Sequence, residues 1–234
     1  MRLAALPLLL ALLLALAACG EDDGDSAPTT ESGTTTGTTT GGFEEPEPLP
    51  RTEVEGGYLY EVAEDGFEVA VPRPWIARSS AQIPTPGTLR RLSVEYTEII
   101  GYFETLVGDT PTRFVAAAPR LRTNFATNLT VTIEAVEPGT TLEQYEQRTH
   151  AQILSTAANL QGEIERSRET IPAGPVRVIR YERRFSDAIT LATRHYLLVS
   201  GDRAFALTYT TALPDPGFDE IVARSLESFR LGED

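Results

Sequence analysis

Residues 163–211 read EIERSRETI-PAG-PVRVIRYERRFSDAITLATRHYLLVS-GD-RAFALTYTT. This stretch is a series of segments rich in β-branched and aromatic residues, over 163–171, 176–185, 189–200 and 203–211. Pro172-Ala173-Gly174 separates the first two, and Gly201-Asp202 joins the last two. Strand-forming runs bounded by Gly, Pro and Asp read as hairpins. Connections this short pair neighbours antiparallel, because a parallel pair needs a long crossover. The stretch therefore predicts an antiparallel sheet.

The flanks supply helices. Thr141 caps a helix with Gln144 at the capping-box position, and Leu142, Tyr145, Thr149, Ile153, Ala157 and Leu160 form its expected buried stripe. Asp215-Pro216 opens a final helix that carries Phe218, Ile221, Val222, Leu226 and Phe229. Further upstream, Tyr58, Tyr60 and Val62 alternate, Glu64-Asp65-Gly66 turns, and Phe67, Val69 and Val71 alternate again, which is a hairpin pattern. Segments 112–118 and 128–136 read as strands, and Leu89 to Leu106 recur near helical spacing over 88–107. Amphipathic helices must bury their stripes on the sheet, so the fold class is α+β, one antiparallel sheet flanked by helices.

Charge and composition narrow the function. The chain of 234 residues carries a formal charge of −14, and its 20 basic residues are all arginine. That balance argues against a nucleic-acid partner, which needs a basic footprint. Without lysine there is no Schiff-base chemistry. A single Cys excludes disulfide frameworks and Cys-rich metal sites. Neither a nucleophile elbow nor a phosphate loop is found, and no cofactor or metal is implied.

The N-terminus assigns a place. Arg2 precedes an apolar run from Leu3 to Leu16, and Leu16-Ala17-Ala18-Cys19-Gly20 closes it. A positive start, an apolar centre and a small-residue site describe an export signal, 1–18. The closing run resembles the bacterial lipobox. That resemblance implies cleavage between Ala18 and Cys19, a diacylglyceryl group on the Cys19 thiol and further acylation. Two or three chains hold a protein on a membrane where one holds only marginally. Residues 19–55 then form an expected disordered tether. Between 21 and 55 stand ten acidic residues and one Arg, among Thr, Gly and Pro, a composition that cannot bury enough surface to order itself. Residues 56–234 are the expected globular domain, with 24 acidic residues against 18 arginines.

Within that domain, Gly66-Phe67-Glu68-Val69-Ala70-Val71-Pro72 followed by Trp75 resembles the opening of the PsbP-like fold. Phe125 to Val131 with Gly139 to Tyr145 resembles its middle strand and helix. His195 to Val199, Leu207-Thr208-Tyr209 and Ser228 to Leu231 resemble its ending. The pattern is similar to actinobacterial envelope lipoproteins of the LpqN/LpqT kind and to DcrB-like proteins. The resemblance implies an α/β/α sandwich and a role in binding or assembly, and it carries over no catalytic residue. The insertion between Trp75 and Thr112 departs from it.

Candidate site residues are few. Arg180, Glu182 and Arg184 share a strand face with Arg194 in the next strand, so Arg180, Arg184, Arg194 and Trp75 form a candidate binding patch. Cross-strand ion pairs are its plainer explanation. Glu143, Glu146, Glu163 and Glu165 read most simply as solvated faces, and His150 and His195 as packing residues. The first functional expectation is an exported lipoprotein on the outer face of a bacterial membrane whose non-enzymatic domain binds an envelope protein. The alternative is a carrier of lipid or glycolipid in a cleft between sheet and helices, lined by Tyr58, Tyr60, Trp75, Tyr96 and Tyr102. A hydrolase ranks last, and needs a Ser–His–acid cluster at His150 or His195.

Overall fold

The computed structural model describes residues 48–82, 111–119 and 125–232. The quoted stretch forms four consecutive antiparallel strands: β7 (Leu160–Ile171), β8 (Gly174–Ser186), β9 (Ile189–Ser200) and β10 (Arg203–Ala212). β4 (Ile76–Ser79), β5 (Thr112–Ala117) and β6 (Asn128–Ala135) extend them into a seven-stranded sheet of order β4-β5-β6-β10-β9-β8-β7. The α+β class read from the sequence is the one observed.

The expectation of one sheet is corrected. β1 (Arg51–Val54), β2 (Gly57–Val62), β3 (Phe67–Pro72) and β11 (Arg230–Leu231) form a separate four-stranded sheet. Periodicity marks strands without saying which sheet each joins. The folded chain also begins before residue 56, the boundary drawn from composition: β1 pairs with β2, and Leu49 packs on the core. Two glycines let the β2–β3 hairpin close. Gly66 sits at φ +66°, a left-handed conformation that ends the 3-10 turn over Ala63–Asp65. At Gly57 a Cβ would lie 2.2 Å from the Val71 carbonyl oxygen.

α1 (Leu142–Thr156) begins at the capping box read from the sequence. The Gln144 amide N–H donates to the Thr141 hydroxyl at 3.2 Å, and the Thr141 N–H donates to the Gln144 side chain at 2.8 Å. Leu160, expected on this helix, instead opens β7 opposite Arg183. α2 (Phe218–Ser228) carries the apolar stripe expected of it. The helix expected over 88–107 lies outside the described residues.

Strand alternation gives the large sheet two faces. On one, Leu129, Val131, Val178, Tyr196, Leu198, Phe205, Leu207 and Tyr209 meet the small sheet and the Phe218, Val222 and Leu226 stripe of α2. On the other, Ile179, Leu197, Ala204 and Ala206 receive Tyr145 and Ile153 of α1. The small sheet and α2, the large sheet, and α1 thus make three layers, with a helix on each side of the large sheet.

Candidate binding surface

The arginine patch lies where the covering layer of α2 ends. Register places Arg180 of β8 directly opposite Arg194 of β9. Two cations side by side repel each other, so each is held by an acid. Arg180 donates to Glu169 of β7 and, at 2.9 Å, to the Ser167 hydroxyl. Arg194 pairs with Asp219 in the first turn of α2, and its guanidinium lies 4.9 Å from the Phe218 ring centroid. Arg184 follows on the same strand face, exposed, and its backbone N–H donates to the Asn159 carbonyl at 2.9 Å. Trp75 is buried in the main core. The fold therefore brings Arg180 and Arg194 together, keeps Arg184 in line with them, and withdraws Trp75 from the surface. Cys19 and Ala18 lie outside the described residues.

Across the sheet is a cluster that the sequence reading did not find. Glu146 of α1 is 5 % exposed, which corrects its assignment to a solvated face; Glu143, one turn earlier, is exposed. The Glu146 carboxylate lies 3.4 Å from Arg177 and 3.8 Å from Arg166, and Glu143 lies 3.8 Å from Arg177. With Gln147, Ser167 and Arg168 these residues line an open cleft of about 340 Å³. Burying a carboxylate is costly unless it is paired, and the two arginines meet that condition. The i, i+3 spacing of Glu143 and Glu146 is visible in the sequence, but partners on two distant strands are not.

His195 lies near α1, half-buried on the same side of the sheet. Its Nδ1 is 2.9 Å from the Thr208 hydroxyl, its Nε2 is 3.3 Å from the Tyr181 hydroxyl, and its ring stacks on Tyr181. Burial disfavours the charged ring and pushes its pKa down to about 4. The Tyr181 hydroxyl is pushed up for the same reason. Both ring nitrogens thus face hydroxyls, so the acid that would orient a catalytic imidazole is not among its bonded partners. Among the described residues no cluster of His, Cys, Asp and Glu is arranged to hold a metal ion.

Fold and surface together define a layered α+β domain that presents paired charge on both sides of a central sheet. No family model matches the chain, and no curated protein matches it. Among solved structures, it is similar to cyanobacterial PsbP (CyanoP) from Synechocystis, with 14% identity, 83% of this chain and 98% of that one covered, and a TM-score of 0.46. It is also similar to LpqN, described as involved in cell envelope biogenesis of Mycobacterium tuberculosis. There the identity is 11%, the coverage 80% of this chain and 93% of that one, and the TM-score 0.48.

Proposed function

We propose that this chain is an exported bacterial lipoprotein, held on the outer face of a membrane by acylated Cys19, whose domain works by binding an envelope protein and not by catalysis. One observation carries the reading: the chain's single Cys falls at the end of an export signal, in Leu16-Ala17-Ala18-Cys19-Gly20. The acidic run that follows suits a spacer, because like charges extend a chain. An actinobacterial host fits the resemblance of the domain. The engagement of His195 by Thr208 and Tyr181 supports a non-catalytic domain. The row of Arg180, Arg194 and Arg184 is the surface on which we place the partner, because arginines offer planar donors to carboxylates. The carrier alternative draws no support from the α1 cleft, whose lining is charged and polar.

The test is to express the wild-type chain and Cys19→Ser in a native host and fractionate the envelope. The reading expects the wild type in the detergent phase and the variant released. Cross-linking in intact membranes then expects a discrete adduct that Arg184→Glu with Arg194→Glu removes. A wild type recovered as freely soluble protein overturns the anchoring. An adduct insensitive to both charge reversals moves the partner to another face.

A further inference from the structure

Among the described residues the exposed large hydrophobics are Leu154 (56 %), Phe185 (48 %) and Leu213 (36 %). Single exposed apolar side chains are ordinary, so where they stand decides whether they mark a contact surface. Connectivity puts all three at one end of the large sheet. Phe185 is the penultimate residue of β8, at the turn into β9. Leu213 directly follows β10, and its N–H donates to the Thr190 carbonyl at 2.9 Å. Leu154 is in the last turn of α1, from which the chain runs past Asn159 into Leu160 opposite Arg183. The opposite end, around Glu64, Asp65, Glu137 and Asp202, has no such residue among those described.

Phe185 has apolar support beneath it and a cation beside it. Phe125 lies 6.2 Å from Phe185, centroid to centroid, and joins Ile189 and Leu191 beneath it. The Arg183 guanidinium sits 5.9 Å from the centre of the Phe185 ring. Neither Arg183 nor Arg184 has an ion pair among the described residues. Arg183 lies opposite Leu191 and Phe185 packs on Phe125, both on the α1 side, whereas Glu182 lies on the other side and Asp187 stands in the turn itself.

We propose that this hairpin end rests on a phospholipid surface, with Phe185 at the acyl boundary and Arg183 among the phosphates. An aromatic ring beside an arginine suits the interface, where long cationic side chains keep their heads in water while their stems lie on apolar surface. This inference rests on the anchoring reading above. Only residues 20–50 separate Cys19 from β1, so this end of the sheet stays near lipid. A weak contact then suffices, because the second binding event is intramolecular. Contact at this end stands the strands toward the membrane and leaves the Arg180–Arg194 row facing sideways, open to a neighbouring protein.

The test keeps the mature chain whole and does not depend on acylation. Cys19→Ser is held by an N-terminal histidine tag on vesicles of phosphatidylcholine and phosphatidylglycerol that contain nickel-chelating lipid. With Cys19 gone, Ser186→Cys or Asp202→Cys gives a single thiol for a fluorophore. Spin-labelled lipid is expected to quench the label at 186 several-fold more than the label at 202, and Phe185→Ser or Arg183→Glu is expected to erase the difference. Equal quenching at both ends overturns the proposal. So does shielding at 186 that arises only when envelope proteins are added, which marks a protein contact. The mass of the native Cys19 peptide is read separately, so failure of the anchoring reading is distinguishable from failure of this one.

Discussion

The two faces of the seven-stranded sheet are built from different materials. Toward the small sheet, Phe67, Phe114, Phe205, Phe229 and Tyr209 are fully buried, and Phe67 meets Phe114 edge-on at 6.2 Å and Phe229 at 5.8 Å. Toward α1 the sheet offers Ala204 and Ala206, then Thr193 and His195, with buried Glu146 above. Large aromatic side chains dominate burial energy, so the first face supplies most of the stability. The second also buries Ile179, Leu197 and Tyr145, yet it holds Glu146 and His195 beside them. The charged cleft and the apolar side of the hairpin end both lie on that second side.

The aromatic face should respond most strongly to substitution. Phe205→Ala removes a fully buried ring and is expected to cost about 3–5 kcal/mol in urea unfolding. A loss below about 1 kcal/mol contradicts the view that this face carries the stability.

The next effect belongs to the α1 face and depends on pH. With a folded pKa of about 4 against a reference value of 6.5, His195 favours the folded state while its ring is neutral. Its contribution is present above pH 6.5 and lost as pH falls toward 4, in total about 3 kcal/mol. Measuring stability across that window in the wild type and in His195→Gln checks the sign: the variant's curve should be flatter. Parallel curves would mean that the ring is not desolvated.

Smaller still, Glu146→Gln leaves Arg177 without its nearest carboxylate, and a loss of about 2 kcal/mol is expected. Arg177→Met combined with Glu146→Gln should recover part of it, measured as a double-mutant cycle. The smallest effect sharpens the helix itself: Thr141→Ala removes a capping hydroxyl from the Gln144 N–H and is expected to cost about 1 kcal/mol.

What the sequence made legible follows the same division. Short turns such as Gly201-Asp202 dictate antiparallel pairing, and the Thr141–Gln144 box fixes the start of α1 to the residue; both are local. The assignment of β1, β2, β3 and β11 to a second sheet depends on contacts between distant segments, which alternation does not encode. Leu160 fits the helical period by spacing alone, yet the chain has left the helix by Ala157 and turns through Asn159 at φ +61°. At the surface, Arg180 and Arg194 were legible as strand neighbours. Glu146 was not, because its arginines come from β7 and β8. The hairpin end joins the end of α1, the β8–β9 turn and Leu213, and only the fold brings these together.

The mass of the mature N-terminus decides the anchoring proposed for Cys19. Protein taken from its own envelope and digested should yield an N-terminal peptide beginning at Cys19 and carrying a diacylglyceryl group, with or without an additional acyl chain. A peptide that begins elsewhere, or one in which Cys19 is a free thiol, would contradict the account.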